Sequence, residues 1–273
     1  MKKQNKIRFW GTRGSLPVSG KKYARYGGNT SCLEIRCADD LIIIDAGSGI
    51  RAPSEKWLAE GRKTYHILFS HTHWDHLIGL PFFAPLNDPH CTVHLYGPAP
   101  LEKLLSQQFS APFFPIALIN FKAKIVYHIL TPGSALKIGA ITIHSALACH
   151  LGKTLCFTFT LNKICIGYAT DNELFLEEKV QKELTTFFAK CTHIIHEAQY
   201  SATEYQSRIG WGHSSLPNLA AFINLLPKQI SWLITHHDPK NSDTLLEKRL
   251  LSIKKLAPQR KIKLAYDGLT LNV

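Results

Sequence analysis

Residues 65–76, YHILFSHTHWDH, run from an apolar, strand-like segment directly into a cluster of three histidines and one aspartate. Alternate side chains of an extended segment point to the same side, so His71 and His73 can bind one ion together. Asp75 and His76 then add a carboxylate and a third imidazole beside that pair. The alternative is a histidine-rich turn that stabilises only itself. A metal site, unlike such a turn, needs further ligands elsewhere in the chain.

The number of potential ligands in this motif indicates how many ions it serves. Imidazole nitrogens and carboxylate oxygens suit Zn²⁺, and a catalytic zinc site leaves one position for water. One ion cannot use all four groups together with ligands from later in the chain, so we expect two adjacent divalent ions. Zinc is the predicted metal, although the same ligands accept manganese or iron.

Composition and charge describe the protein in broader terms. The 273 residues, 45% of them hydrophobic and 19% charged, suit a soluble globular protein with a substantial core. Gly, Pro and Ser do not collect into a linker, so we predict one domain over residues 1–273. The net charge of +12 favours an anionic partner such as a phosphate ester or nucleic acid. Lysine pairs on a solvated surface would produce the same charge without any such partner.

The cysteines and the apolar segments indicate the compartment. The seven cysteines are an odd number without a C-x-x-C pair, which predicts neither a disulfide framework nor a thiolate zinc site. The first 15 residues are basic but lack the apolar stretch of a signal peptide. No segment approaches the roughly 20 apolar residues of a membrane span. We therefore predict a cytoplasmic protein without a membrane partner.

The succession of elements predicts the fold class. Strand-like runs such as KIRFWG and LIIID dominate the first half of the chain, and strand-like runs alternate with helical segments in the second half. This pattern is typical of stacked sheets with helices outside, a layered α/β architecture. The segments with helical spacing are SEKWLAEGRK, LEKLLSQQF, LFLEEKVQKELTTFFAK, LPNLAAFINLL and DTLLEKRLLSIKKL.

Polar residues that can bind metals follow six of the apolar runs. Active sites on rigid scaffolds collect in the loops that follow strand ends. A recurrence of this kind favours a shared metal site over an isolated turn. The six residues are Asp45, His71, His150, Asp171, His196 and His236.

The motif HTHWDH resembles the H-x-H-x-D-H signature of the metallo-β-lactamase-fold hydrolases, and further motifs of that superfamily follow in order along nearly the whole chain. The resemblance implies an α/β fold, a four-layer αββα sandwich. LIIIDAGSG is similar to the superfamily's strand-Asp-Gly motif, which implies that Asp45 orders the metal loop. The resemblance also implies one site of His71, His73 and His150, a second site of Asp75, His76 and His236, and Asp171 shared by both.

Three of these ligand assignments have alternatives in the sequence. His144 lies close to His150, but it alternates with isoleucines inside a strand-like run. His237 adjoins His236, and the choice of the first histidine follows the family pattern in THHDP. Asp171 could instead cap a helix that begins directly after it.

Further motifs resemble one branch of the superfamily. FWGTRGSLP and YGGNTSCLEI are similar to the N-terminus shared by ribonuclease Z-like and cyclic-nucleotide-phosphodiesterase-like members, and HIIHEAQY and WGHSS resemble the Glu and Gly-His-Ser elements of ribonuclease Z. This resemblance implies a catalytic set of Asp75, Glu197 and His213, in which the last two form a proton-donating pair. A poor alkoxide leaving group needs such a proton. The alternative for His213 is a loop histidine beside Trp211.

One difference from ribonuclease Z indicates which members of this branch the chain resembles more. That family commonly inserts a long arm that grips tRNA after its third histidine. Here only a predicted hairpin, within LGKTLCFTFTLNKICIGYATD, separates His150 from Asp171. The chain is therefore more similar to small phosphodiesterases of the GTRGS type.

Two glycine-rich turns, GTRG and YGGNTS, are candidates for phosphate binding. Such turns can present free backbone N–H groups, and the predicted substrate-binding residues in them are Arg13, Asn29, Thr30 and Ser31. Equally, their glycines can serve only to form positive-φ turns. The aromatic, proline-broken segment 109–121 could cover the metals as a lid, form a dimer surface or pack in the core.

The predicted function is that of a binuclear metal-dependent phosphodiesterase acting on small, nucleotide-like diesters, with 3′,5′-cyclic nucleotides among the candidates. An RNA endonuclease of the ribonuclease Z type without the arm is one alternative, and a thioester or lactone hydrolase is another. A non-catalytic binding module is disfavoured because all seven predicted ligands are present. The predicted partner is a small anionic phosphodiester, with nucleic acid, or a second copy of the chain in a homodimer, as further candidates.

Overall fold

Two β-sheets pack face to face in the computed structural model, which describes residues 5–273. In spatial order, the first sheet consists of β14 (Thr270–Asn272), β1 (Lys6–Gly11), β2 (Cys32–Cys37), β3 (Asp40–Ile44), β4 (Thr64–Leu68), β5 (Thr92–Pro98) and β6 (Lys124–Leu130). The second consists of β13 (Lys261–Leu264), β12 (Ser231–Thr235), β11 (His193–Glu197), β10 (Ile164–Ala169), β9 (Leu155–Leu161), β8 (Ile141–Leu147) and β7 (Ala135–Ile138).

Helices cover the outer face of each sheet. They are α1 (Arg51–Ala59), α2 (Leu101–Gln108), α3 (Glu178–Phe188), α4 (Ala202–Gln206), α5 (Leu216–Leu225) and α6 (Asp243–Leu256). Trp57 of α1 and Leu105 of α2 belong to a buried cluster on the outside of the first sheet. Leu184 of α3 and Phe222 of α5 pack with Trp232 of β12 on the outside of the second sheet. The predicted four-layer αββα sandwich is therefore confirmed.

The core between the sheets draws side chains from both. Ile44 of β3 and Phe157 of β9 are fully buried there, together with Ile195 of β11. Strand β3 is covered on one face by the other sheet and on the opposite face by helices. That double burial explains its continuous apolar run, because a strand with one wet face would alternate polar and apolar residues.

Strand direction places the functional loops at one edge. Strands β3 to β6 run parallel to one another in the first sheet, and β10 to β13 do so in the second. The carboxyl ends of parallel strands lie along one sheet edge, where open α/β sheets bind their ligands. The loops that follow β3, β4, β10 and β12 therefore emerge close together.

Two connections bear on the sequence predictions. The predicted hairpin between His150 and Asp171 is present, because β9 and β10 pair antiparallel with Leu161 opposite Ile164.

In segment 109–121, every residue of which is described, the single helical element is the 3-10 turn Leu118–Asn120. Within residues 5–273, no helix combines the length and apolarity that crossing a bilayer requires.

Truncating a large side chain in the layer between the two sheets should strongly lower the free energy of unfolding. Phe157→Ala should lower the free energy of unfolding by about 3–5 kcal/mol, because the ring lies fully buried between the sheets. Urea denaturation of the metal-free protein measures this. The matched control is Phe113→Ala, whose ring is 82% exposed and whose loss should cost less than about 0.5 kcal/mol. Equal costs for the two variants would contradict the position assigned to Phe157.

Candidate metal centre

Three residues of the site follow their strands through sharp backbone turns. Asp45, Asp171 and His236 follow β3, β10 and β12, and their φ angles are 60°, 54° and 54°. Non-glycine residues rarely adopt this left-handed region, and such strained positions cluster at functional sites. These turns direct the three side chains over the shared edge of the two sheets.

A first group of donor atoms comes from His71, His73, His150 and Asp171, all within 4.8 Å of one another. Asp171 Oδ1 lies 3.8 Å from His71 Nε2 and 3.8 Å from His150 Nε2. His73 Nδ1 lies 3.0 Å from His150 Nε2. His73 is exposed, so this group opens to solvent on its side.

A second group, buried, comes from Asp75, His76 and His236. His236 Nε2 lies 3.0 Å from Asp75 Oδ2 and 3.3 Å from His76 Nε2. The other oxygen of Asp171, Oδ2, lies 3.1 Å from His76 Nε2 and 3.2 Å from His236 Nε2. Asp171 therefore offers one oxygen to each group.

The donor set fits divalent metal ions. Two ligands at about 2.1 Å from one ion, at a tetrahedral angle, are about 3.4 Å apart, which is close to the spacings in both groups. His71 Nε2 and Asp171 Oδ2 are buried without a hydrogen-bond partner among the described residues. Unpaired buried polar atoms of this kind require an explanation, and a bound cation supplies one.

Asp45 orders the loop that carries the first ligands. Its fully buried carboxylate accepts hydrogen bonds from Ser70 N at 2.8 Å, from His76 Nδ1 at 2.9 Å and from Tyr168 OH at 2.7 Å. Ser70 Oγ also contacts His71 Nδ1 at 3.0 Å. Because Nδ1 of His76 bonds to the carboxylate, its Nε2 keeps a lone pair for a metal.

The buried charges of the site shift one another's pKa values. Burial favours the neutral form of each group, yet the neighbouring imidazoles hold the pKa of Asp75 and of Asp171 well below the ordinary value. Burial lowers the pKa of His71, and nearby His76 adds to that effect. In His76 itself, surrounding carboxylates outweigh burial and raise the pKa. In the metal-free protein the ionised carboxylates and the neutral His71 suit metal binding, whereas His76 must release a proton when a metal binds.

His213 lies among the ligands rather than apart from them. Its ring stacks on His236 with centroids 5.4 Å apart and lies 5.3 Å from the ring of His150. Its Nδ1 is 3.9 Å from Asp171 Oδ1 and is unpaired within the described part of the chain. Burial lowers the pKa of His213 to about 3, although Asp171 opposes the shift. With Asp171 and His236, His213 forms a further group that could hold an ion.

Glu197 and His213, the predicted proton-donating pair, lie near each other without a hydrogen bond between them. Glu197 Oε1 lies 4.0 Å from His213 Nδ1, because the carboxylate accepts the backbone N–H groups of Ser214 at 2.6 Å and Gln199 at 2.8 Å. Burial raises the pKa of Glu197 to about 8. Glu197 thus fixes the backbone next to His213, and the two side chains share no hydrogen bond.

The loop before His213 orients the ligand His150. Gly212 O accepts a hydrogen bond from His150 Nδ1 at 2.8 Å, which leaves Nε2 for a metal. The buried carboxylate of Glu173 in turn accepts the N–H groups of Gly210 at 2.8 Å and Gly212 at 2.7 Å. Sequence reasoning missed Glu173 and Tyr168. Both lie within three residues of Asp171, and this proximity was the available signal.

The rival histidines lie outside the ligand groups. His144 is exposed on β8, opposite Ala135 of β7. His237 is buried, and its Nε2 bonds to Ala265 O at 2.9 Å. His196, which also ends an apolar run, contacts Asn172 Nδ2 through its Nε2 at 3.1 Å. The geometry therefore favours His150 and His236 as ligands, as the family pattern implied.

Arg13, a predicted substrate-binding residue, makes structural contacts with backbone carbonyls. Its side chain is fully buried, and its guanidinium donates to Gly27 O at 2.8 Å and to Asn241 O at 2.7 Å. Arg13 therefore joins two loops, and its side chain is buried away from solvent. Ser15, directly after the turn GTRG, donates its N–H to Asp75 Oδ2 at 2.7 Å, and sequence reasoning missed this contact.

The other predicted substrate-binding residues, Asn29, Thr30 and Ser31, form hydrogen bonds with neighbouring loops. Thr30 is buried, and its Oγ1 accepts the N–H of Ser48 at 2.8 Å. Asn29 is exposed, and its amide bonds to Asp267 and Ser48. Ser31 is buried, and its carbonyl accepts the N–H of Gly47 at 2.9 Å. Their hydrogen bonds go to neighbouring loops rather than to the ligand residues.

Close approach to a ligand explains a glycine of the GTRG turn. A Cβ atom at Gly14 would lie 2.3 Å from the ring of His236, which leaves no room for a side chain. The position therefore needs glycine for space and not for a positive φ angle. Neither of the two explanations considered for this glycine, phosphate binding or a positive-φ turn, included such an approach.

A layered αββα fold with a His/Asp donor set at the sheet edge defines the metallo-β-lactamase class of protein. Residues 41–237 match the family described as the beta-lactamase superfamily domain, and the chain belongs to that family. Among curated proteins it is similar to ribonuclease Z of Streptococcus mutans, with 30% identity over 157 residues, 55% of this chain and 42% of that protein. It is also similar to ribonuclease Z of Lactobacillus johnsonii, with 30% identity over 105 residues, 36% of this chain and 32% of that protein. The matches thus span less than half the length of these relatives.

Solved structures share the fold over the full length of the chain. The metallo-beta-lactamase fold protein YhfI of Bacillus subtilis has a TM-score of 0.75 at 18% identity, covering 98% of this chain and 99% of that one. A diphosphatase of the PhnP family has a TM-score of 0.72 at 19% identity, covering 99% and 98%. The short form of human tRNase Z has a TM-score of 0.66 at 16% identity, covering 97% and 98%. At such identities the likeness is one of fold.

The contact between Gly212 and His150 yields a test of the first donor group. Gly212→Ala should weaken metal binding by about 10- to 100-fold, because the new Cβ would lie 1.9 Å from His150 Nδ1. Titration of the metal-free protein with Zn²⁺ against a competing chelator measures this.

The matched control is Gly210→Ala, two residues away. Gly210 has a φ of 84° and Gly212 one of 83°, so both substitutions strain the backbone alike. A Cβ at Gly210 has no neighbour within 4 Å, so metal affinity should stay close to that of the wild type. Equal losses in both variants would mean that backbone strain, and not displacement of His150, causes the effect.

Proposed function

We propose that this chain is a metal-dependent phosphodiesterase that holds two divalent ions, with zinc expected and manganese or iron as alternatives. One observation carries the proposal: Asp171 presents one oxygen to each of two donor groups. When bound, paired ions would activate water and stabilise charge on the phosphoryl oxygens. His71, His73 and His150 would hold one ion, Asp75, His76 and His236 the other, and Asp171 both.

His213 is proposed to donate a proton to the leaving oxygen. Its side chain is 12% exposed, whereas those of the neighbouring His150 and His236 are 2% and 1% exposed, so its ring is the more accessible to substrate. An anionic phosphodiester beside the ring would favour its protonated form. Glu197 supports this role indirectly, by holding the backbone N–H of the adjacent Ser214.

An RNA endonuclease is the second candidate, and two observations favour it. The curated relatives described above are ribonucleases Z, and the net charge of +12 suits a polyanionic substrate. Against it stands the tight β9–β10 hairpin, which occupies the position where an RNA-gripping arm would be inserted. A nuclease should bind short RNA with a steep salt dependence, whereas hydrolysis of a small diester should depend on salt only weakly.

Metal content tests the ligand assignment. His150→Ala should reduce the zinc content from two ions per chain to about one or fewer, because it removes a ligand of the first group. Elemental analysis after dialysis measures the stoichiometry. His144→Ala is the matched control: the same substitution on an exposed histidine nearby in the chain should leave the content at two. A wild-type content of one ion or less per chain would overturn the binuclear proposal.

Leaving-group dependence tests the role of His213. His213→Ala should slow hydrolysis of diesters with an alkoxide leaving group by about 10²–10⁴-fold, because an alkoxide needs a proton as it departs. Esters of p-nitrophenol should be affected far less, since p-nitrophenolate leaves as a stable anion. Steady-state kinetics on bis-p-nitrophenyl phosphate and a cyclic nucleotide provide the comparison.

The metal content of the same variant separates the two possible roles. A proton donor can be removed without loss of metal, so His213→Ala should retain two ions. If it loses an ion and slows both substrates equally, His213 is a ligand, as its place beside Asp171 and His236 also permits. The proposed function would be contradicted if the wild type hydrolysed no phosphodiester with any common divalent metal.

A further inference from the structure

An open groove of about 680 Å³ lies beside the metal-binding motif. Trp74, which stands between the ligands His73 and Asp75, lines one side of it, and Phe82 lines it as well. Phe113, from the aromatic segment 109–121, lines another part. The segment that sequence reasoning could not assign to lid, dimer surface or core therefore forms part of a groove next to the site.

The groove is continuous with the metal ligands. Thr72 and Leu104 line it and also line an adjoining cavity of about 350 Å³. That second cavity is lined further by the ligands His71 and His73 and by the exposed Lys153. A substrate whose phosphate lies at His71 and His73 can therefore extend past Thr72 into the groove. Lys153 places a positive charge at the phosphate end of this path.

The lining combines exposed aromatic rings with free amide groups. Trp74 is 54% exposed, Phe82 56% and Phe113 82%, although large apolar side chains are normally buried. Gln107 and Gln108 lie at the end of α2 and line the same groove. Within residues 5–273, neither glutamine side chain takes part in a hydrogen bond, so both amides are free to contact a ligand.

Contacts between rings hold part of the aromatic lining in place. Phe114 packs edge-on against Phe82, with centroids 6.2 Å apart, and against Phe109, with centroids 5.6 Å apart. Edge-to-face pairs of this kind stabilise a defined geometry. These three rings therefore form an ordered part of the aromatic lining.

We propose that this aromatic groove binds the nucleobase of the phosphodiester substrate while the phosphodiester group lies at the metal ligands; the inference rests on the proposed function. Bases stack on aromatic rings because every base has a π-face. The amide of glutamine offers a donor and an acceptor, which match the hydrogen-bonding edge of a base. An acyl chain would use the rings but would leave both amides unpaired. Rings, amides and the charge of Lys153 together fit a nucleotide.

Two diesters with the same reacting group test the inference. Thymidine 5′-(p-nitrophenyl phosphate) and methyl p-nitrophenyl phosphate share the phosphodiester and the leaving group, and they differ in the nucleoside. The wild type should have the higher kcat/KM on the thymidine ester. Phe113→Ala should reduce the ratio of the two kcat/KM values by about tenfold, mainly through KM, since loss of a stacking ring weakens base binding by about 5- to 150-fold.

Matched variants separate stacking from general damage. Ile119→Ala removes a side chain that is 90% exposed in the same segment but outside the groove, and it should leave the ratio unchanged. Phe113→Trp should restore the ratio, because the indole also stacks. Calorimetric titration with thymidine 5′-monophosphate provides a readout without turnover. Its Kd should rise by about the same factor in Phe113→Ala.

The outcomes distinguish an error in the proposed phosphodiesterase function from an error in the proposed nucleobase site. If the wild type hydrolyses neither diester with any common divalent metal, the proposed function is wrong. If it hydrolyses both with equal kcat/KM, or if Phe113→Ala leaves the ratio and the Kd unchanged, phosphodiesterase activity stands and the nucleobase site is wrong. Equal loss of activity on both diesters in Phe113→Ala would also overturn the nucleobase site, since the ring would then act on the shared reacting group.

Discussion

The position of the Asp171 carboxylate is the constraint on which the rest of the site depends. One of its oxygens faces His71 and His150, and the other faces His76 and His236. A φ of 54° turns the chain sharply at the end of β10 and directs this carboxylate over the sheet edge. Burying an anion is unfavourable unless partners compensate for the lost hydration. The surrounding imidazoles provide part of that compensation.

The site is assembled from both sheets, so it exists only when the sheets are packed together. The first sheet contributes the loop His71–His76, and the second contributes His150, Asp171 and His236. The apolar layer between the sheets brings the two sets together. A hydrogen bond from Tyr168 of β10 to Asp45 after β3 crosses the same interface at the level of the ligands. Packing and ligand geometry are therefore linked by a direct polar contact as well as by the core.

Side-chain partners, more than residue types, decide where the structure places each predicted site residue. His144 and His150 have the same imidazole, but one points to solvent from β8 and the other follows the strand into the site. Arg13 has the chemistry of a phosphate ligand, yet backbone carbonyls occupy its guanidinium. Glu197 has the chemistry of a histidine partner, yet backbone N–H groups occupy its carboxylate. Which partner a polar group finds depends on distant segments of the chain.

The sequence by itself determined the layered α/β class, the HTHWDH motif and the order of the remaining ligands, because apolar periodicity and ligand chemistry are local properties. It also carried the resemblance that identified the superfamily. The tertiary structure alone decided which loop orients His150, which partners the side chains of Arg13 and Glu197 find, and where segment 109–121 lies. These features depend on side chains far apart in the chain meeting at one edge of two packed sheets. Only folding sets those distances, and a distance of a few ångströms decides whether a polar group binds a metal, a backbone or a substrate.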